Sequence, residues 1–282
     1  MDKNKQQHIH PGLYLVSTPI GNMEEITFRA LNILKKSDTI LCEDTRRSGK
    51  LLSYFQIKNK LLPYHKFNEK KICNKIVNLI KENKIIALIS DAGTPSISDP
   101  GRILVNRCVE ENLKVYPITG SSAVTSAVSV SGFSDQYLFY GFLPKKENEI
   151  NTVLKNLKNL NYSLVFFIPA LKINFYLQKF KEYFFDRKIL IAKEMTKMHE
   201  EFIREDVNLI ENLSENLKGE LTVVLSTKII EKNISKEISE SAKIRIKKML
   251  KKYTHKDVVE FISEKENLSK KMVYEFCLKL KK

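Results

Sequence analysis

Cysteine is sparse in this chain, and what there is stands apart. Cys42, Cys73, Cys108 and Cys277 lie at least 31 residues from one another. With no C-x-x-C pair, neither a zinc ribbon nor a dithiol redox motif is supported. Isolated thiols among apolar neighbours are expected buried and reduced. Long hydrophobic runs are missing too. The longest, Leu164–Leu171, contains Pro169 and is far short of the roughly 20 residues that span a bilayer. The opening M-D-K-N-K-Q-Q-H-I-H lacks the apolar centre of a signal peptide. The expectation is a cytoplasmic protein with no membrane association. Glycine and proline are few, at 9 and 8, which excludes a collagenous or low-complexity chain.

Several motifs are absent as well. No G-x-x-x-x-G-K-[ST] loop or G-x-G-x-x-G spacing follows a strand, so nucleoside triphosphate hydrolysis and standard dinucleotide binding lose their usual support. No G-x-S-x-G elbow, H-E-x-x-H pair or Cys/His cluster is present, and no metal is expected. Acidic residues are the last shortage. Against 48 Lys and Arg stand 33 Asp and Glu, a net charge of +15. Residues 228–282 alone carry 16 basic and 8 acidic side chains. A surplus concentrated in the last fifth of a chain suits a polyanionic partner.

What remains is a regular alternation. Leu13–Val16 reads as a strand, Ser17–Asn22 as a small-residue loop, and Ile26, Ala30, Ile33 and Leu34 as a helical face. Thr39–Cys42 reads as a second strand, ending in Glu43-Asp44-Thr45-Arg46-Arg47. Asp44 or Thr45 can cap the helix that follows, which leaves the paired arginines unexplained. A helix over 69–82 precedes the apolar run Ile85–Ile89 and the loop I-S-D-A-G-T-P-S-I-S-D-P-G, which places two carboxylates and several hydroxyls at a strand end. Lys114–Ile118 and Thr119–Ala123 repeat strand and loop, before a small-residue helix over 123–130. Residues 13–140 therefore read as a doubly wound α/β domain behind a flexible lead, 1–12. Loops at the C-terminal ends of parallel strands are where such sheets bind ligands.

Phe139–Pro144 marks a hinge, and 141–227 reads as a smaller mixed α/β domain. Its strands are expected at Leu164–Ile168, Ile189–Ala192, Glu200–Arg204 and Leu221–Leu225, with helices at 171–184 and 207–217. After a polar linker near Lys228–Glu240, residues 228–282 form a basic helical subdomain of three short helices. Thr254 and Asp257 have capping-box spacing. Glu266-Asn267-Leu268 makes a turn, and Ser269 caps a last helix whose face is Leu268, Met272, Val273, Phe276 and Leu280. Lys270 and Lys271 at its start resemble the recognition end of a helix-turn-helix.

The stretches L-Y-L-V-S-T-P-I-G-N-M-E-E-I-T-F-R-A, C-E-D-T-R-R, I-S-D-A-G-T-P-S-I-S-D-P-G and Y-G-F-L-P occur together and in order. With A-K-E-M-T-K at Ala192–Lys197 and K-G-E at Lys218–Glu220, they resemble the tetrapyrrole methylase superfamily, the class III methyltransferases that use S-adenosylmethionine. Within it, the match is to the branch that methylates the 2′-hydroxyl of a cytidine in small-subunit ribosomal RNA. The resemblance implies a parallel N-terminal sheet, a mixed C-terminal sheet, the small subunit as partner, and a homodimer. It implies that Pro19, Ser90, Asp91, Thr94, Ser121, Ser122, Ala123, Pro169 and Met195 contact the cofactor. Glu43, Asp44 and Arg46 match the motif separating RNA enzymes from porphyrin ones. Two segments depart from the pattern. The third loop is I-T-G-S-S-A where the family commonly has P-G-P or P-G-x-S/T, and Pro169–Ile173 replaces a common E-S-x-H-R.

A ribose hydroxyl is a poor nucleophile until it loses its proton, and Asp44 and Glu194 are the candidate bases. Arg46 and Arg47 suit phosphate, which a planar guanidinium grips in two places. A methylase of corrin or porphyrin precursors, and a ribosome-binding homologue that has lost catalysis, are the alternatives.

Overall fold

The computed structural model describes residues 8–214, 217, 219–229, 238–266 and 268–280. Most of the expected lead, the linker over 230–237, Lys218 and Asn267 lie outside the described residues. Among the described residues, ten strands form two five-stranded sheets.

The first sheet contains β1 (Gly12–Val16), β2 (Thr39–Cys42), β3 (Leu61–Pro63), β4 (Ile85–Leu88) and β5 (Val115–Ile118) in the order β3-β2-β4-β1-β5. Every pairing in it is parallel. Helices α1 (Phe28–Lys36), α2 (Thr45–Tyr54), α3 (Glu69–Lys81) and α4 (Arg102–Glu110) cover it. Successive strand residues point to opposite faces, and this sorts the core into two layers. Tyr14, Val16, Ile40 and Ala87 pack with Ala30, Leu34 and Leu52 of α1 and α2. Leu13, Leu41, Ile86 and Leu88 pack with Ile76, Val77 and Leu104 of α3 and α4. Because all five strands run the same way, the loops after β1, β2, β3, β4 and β5 emerge along one edge.

The second sheet contains β6 (Tyr137–Phe142), β7 (Ser163–Pro169), β8 (Lys188–Lys193), β9 (Glu201–Asp206) and β10 (Glu220–Leu225) in the order β6-β7-β10-β8-β9. Only β6 and β7 are parallel among these pairs, so the sheet is mixed, as expected. Helices α6 (Glu147–Leu157) and α7 (Ile173–Tyr183) cover one face through Leu154, Leu177 and Phe180. On the other face, Val165, Leu190 and Val224 meet Val124 and Ala127 of α5 (Ala123–Ser131). The small residues of α5 thus seat it directly on the second sheet. Residues 1–228 form one compact unit and 229–282 another.

Two element readings are corrected. The expected hinge at Phe139–Pro144 is strand over Phe139–Phe142, the second part of β6, with a bulge between Phe139 and Gly141. Gly141 has φ +84°, and a Cβ there would lie 2.8 Å from Ser98 Oγ. The described part of 207–217 is turn and coil rather than helix. Asparagine side chains compete with helical hydrogen bonds there: Asn208 Nδ2 donates to the Phe185 carbonyl (2.8 Å) and Asn174 Oδ1 accepts from Leu213 N (2.8 Å).

The second unit holds α8 (Glu240–Met249), α9 (His255–Lys265) and α10 (Lys270–Lys279) around Ile246, Val258, Ile262 and Val273. Thr254 and Asp257 close the expected capping box. Ser269 stands at the N-cap of α10 without a side-chain cap bond, and Leu280 is exposed while Cys277 takes the buried place. No helix among the described residues is long and apolar enough to cross a membrane.

Candidate active site

The loop after β1 and the loop after β4 are stitched together. Thr18 N donates to the Gly93 carbonyl (2.9 Å) and Gly93 N to the Thr18 carbonyl (3.0 Å). Thr18 Oγ1 donates to the Ser90 carbonyl (3.2 Å), Ser17 Oγ meets Thr94 Oγ1 (3.1 Å), and Thr94 Oγ1 reaches the Ser121 carbonyl (3.4 Å) in the loop after β5. The hydroxyls of these loops mostly satisfy backbone groups, which fixes the three loops as one rigid edge.

The first loop also meets the second sheet. Asn22 N donates to Thr196 Oγ1 (3.0 Å). A Cβ on Gly21 would lie 2.6 Å from Lys197 Cγ and 2.9 Å from the Met195 carbonyl. The segment 194–197 is bent to make this contact, with Glu194 at φ +49° and Thr196 at φ +66°. Ser96 and Ser98, across the cleft, also have positive φ. Such backbone costs of order 1–3 kcal/mol per residue and concentrates where function requires it.

Between these loops and the second sheet lies a cavity of about 640 Å³. Thr94, Ser122 and Ala123 line it from the first sheet's edge, and Met195, Ala192 and Thr222 from the second sheet. Its charged lining is mainly acidic: Glu43, Asp91, Asp99, Glu194 and Glu220 against Arg47, Lys66 and Lys197. Burial raises Asp99 to about 6, helped by the neighbouring Glu43 charge and opposed by a hydrogen bond from Ser90. Burial also raises Glu43, with the Asp91 charge adding to it. Neither Glu43 nor Asp99 makes an ion pair with a described residue, whereas Glu194 pairs with Lys197 (2.9 Å) and Asp91 with Arg47 (3.1 Å).

A second cavity, of about 270 Å³, adjoins the first. Pro19, Ser90, Met23, Leu51 and Lys50 line it, and it shares Ile20, Arg47, Asp91 and Ala92 with the larger one.

The expected site residues divide accordingly. Asp91, Thr94, Ser122, Ala123, Glu194 and Met195 come together on the larger cavity, and Pro19 and Ser90 on the smaller. Ser121, Pro169, Asp44 and Arg46 line neither. Ser121 Oγ donates to Glu25 (3.3 Å), and Pro169 is exposed at the end of β7. Asp44 is the N-cap of α2, accepting from Arg46 N (2.8 Å), and it is ion-paired with the Arg46 guanidinium (2.8 Å). Those Arg46 hydrogen bonds hold its carboxyl well below the usual range. A half-buried carboxylate held so acidic is a weak base, and in this structure Asp44 serves as the cap of α2. Lys270 and Lys271 are exposed on the first turn of α10 in the second unit.

Lys66 and Asp99 escaped the sequence reading. Lys66 follows β3, whose three residues include a proline and show no alternation. Asp99 looked like the start of a helix. The available signal was the parallel alternation itself, which sends every loop to one edge.

Nothing in the lining conflicts with an adenosine-sized cation. Buried carboxylates favour a positively charged ligand, and the loop backbone and small side chains of Ala92, Gly93 and Ala123 leave room for close approach. Among the described residues, no group of three or more His, Cys, Asp or Glu is placed to hold a metal.

Comparison with known proteins adds the relatives. A family model described as Tetrapyrrole (Corrin/Porphyrin) Methylases matches residues 12–210. A Thermotoga maritima protein named Ribosomal RNA small subunit methyltransferase I is 47% identical over 197 residues, covering 70% of this chain and 88% of that one. Proteins of the same name from Mesomycoplasma conjunctivae and Rickettsia prowazekii are each 44% identical, covering 67% and 71% of this chain and 80% and 71% of theirs. Among solved structures, a Thermus thermophilus uroporphyrin-III-C-methyltransferase superposes with TM-score 0.56 at 17% identity, over 78% of this chain and 96% of that one. A diphthine synthase superposes with TM-score 0.61 at 12% identity, over 76% and 89%.

Proposed function

The chain belongs to the tetrapyrrole (corrin/porphyrin) methylases, and from that premise we propose that it methylates small-subunit ribosomal RNA at the 2′-hydroxyl of a cytidine, with S-adenosylmethionine as donor. The observation that carries the reading is an acid-lined cavity, built by the strand-end loops and the 194–197 turn, in a chain of net charge +15. One region suits a cationic donor, and the bulk charge suits a polyanionic acceptor. The relatives at 44–47% identity carry ribosomal names, and a small macrocycle has no use for sixteen basic residues after residue 227.

Bound S-adenosylmethionine supplies a methyl group already made electrophilic by its sulfonium. The protein's part is then to hold, align and exclude water. Thr94, Ser122, Ala123 and Met195 would hold the donor, with Asp91 and Asp99 facing its positive charge. Glu194, on the cavity wall, is the carboxylate proposed to take the ribose proton, with Lys197 beside it. Arg46 and Arg47 are proposed to reach phosphate. Their present carboxylate partners are exposed pairs worth about 0–1 kcal/mol, so exchanging them costs little. Lys270 and Lys271 are proposed to contact RNA from the second unit. A cytoplasmic homodimer, its copies covering exposed apolar residues such as Phe28, completes the proposal.

The test is mass-spectrometric mapping of ribose methylation in small subunits incubated with protein and donor. One new 2′-O-methylcytidine is expected, and an unchanged map removes the function. Glu194→Gln is expected to lower kcat by about 10²–10⁴-fold with donor affinity intact.

A further inference from the structure

Methyl transfer to oxygen is in-line. The oxygen–carbon bond forms as the carbon–sulfur bond breaks, sulfur keeps the electron pair, and the oxygen's proton leaves to a base. Donor and acceptor must therefore occupy adjoining spaces that meet at the methyl group. The structure has two such spaces. The 640 Å³ and 270 Å³ cavities adjoin, sharing Ile20, Arg47, Asp91 and Ala92.

Their linings are sorted by charge. The larger cavity carries five carboxylates against three cations. The smaller has Arg47 and Lys50, and its one carboxylate, Asp91, is already paired with Arg47. The rest of its lining is largely apolar, including Pro19, Ile20, Met23 and Leu51. An apolar slot with cations at its side fits a flat base attached to phosphates, and rejects the sulfonium donor. Its volume lies near the lower end for small-ligand pockets, about 300 Å³, which suits one nucleoside rather than a macrocycle.

We propose that the smaller cavity is the acceptor subsite, receiving the base of one unpaired nucleoside of the RNA strand between Met23 and Leu51, with Lys50 on a flanking phosphate and the ribose at the shared wall of Ile20, Arg47, Asp91 and Ala92, open to the larger cavity that Glu194 lines. This rests on the RNA-methyltransferase reading. The subsite accounts for the apolar side chains of Met23 and Leu51 beside the cations Arg47 and Lys50 in its lining. It also gives Lys50, an exposed residue with no ion pair to a described residue, a defined partner.

Two variants of the full chain test it, each assayed for donor binding by calorimetry and for methyl incorporation into small subunits. Met23→Trp, which fills the slot, is expected to lower kcat/KM for subunits by about 10²-fold while donor affinity stays within twofold. Lys50→Ala, an exposed change with little risk to folding, is expected to raise KM and to reduce the slope of log affinity against log salt by about 1. Wild-type kinetics and salt slope in both variants overturn the acceptor subsite and leave the methyltransferase reading standing. Failure of the unaltered protein to methylate any ribosomal RNA removes both.

Discussion

Asp99 is the residue whose chemistry depends most on its surroundings. Burial beside Glu43 moves it to about 6, above the ordinary carboxylate range. Below that value the folded protein holds it neutral, and above it the cavity gains a negative charge. Affinity for a cationic donor is therefore expected to rise between pH 5 and pH 7, and Asp99→Asn should flatten that rise in a calorimetric titration. The same shift has the opposite sign for stability. An unfolded chain ionises this carboxyl freely near pH 4, so the native state is penalised as pH climbs towards 6. Asp99→Asn should thus melt higher than the parent at pH 8 and show no such gain at pH 3. Arg187 has a structural role. It is fully buried, and its guanidinium donates to the carbonyls of Tyr162 and Ser226 (both 2.7 Å) and of Leu160. Leucine there would orphan several buried acceptors at about 1–3 kcal/mol each. A loss of about 3 kcal/mol or more is expected in urea denaturation.

Between elements, the decisive contact is the first loop against the 194–197 turn. Gly21 allows it because any Cβ would overlap both Thr196 and Lys197, each at 2.6 Å. Gly21→Ala is expected to cost about 1–3 kcal/mol through overpacking. It should also weaken donor binding, because the displaced turn carries Met195 and Glu194 on the cavity wall. Loss of stability in the melt with unchanged donor affinity would show that the turn is not part of the donor site. The parallel elements were legible in sequence because β2 and β4 are almost wholly buried and their helices keep a clean apolar stripe. β3 and β6 were not. A three-residue strand with a proline, and an edge strand broken by a bulge, carry too little periodicity to distinguish from loop or hinge.

At the scale of the whole molecule, the basic helices and the two cavities belong to different units. Helices α8, α9 and α10 have their own apolar core, and residues 1–228 form a compact unit that contains both cavities. A chain ending at 228 is expected to bind donor like the parent and to lose most of its activity on small subunits. Its residual RNA binding should depend less steeply on salt, since fewer counterions are released. Equal activity of the truncated and full chains would separate the basic tail from substrate recognition.

By itself the sequence determined the two-sheet α/β class, the basic helical tail, and the gathering of the strand-end loops along one edge. Periodicity, charge and loop composition are local properties that survive without coordinates. Only the tertiary structure decided what each polar side chain in those loops does. Asp44, rather than Thr45, turned out to be the cap of α2, and its carboxylate also pairs with the Arg46 guanidinium. Asp99, beside a proline and a glycine, turned out to face the cavity, because Gly101 took the start of α4 and left the carboxylate among distant residues. Burial and charge neighbours come from residues tens of positions away, brought together by parallel strands, and no local pattern encodes that sum.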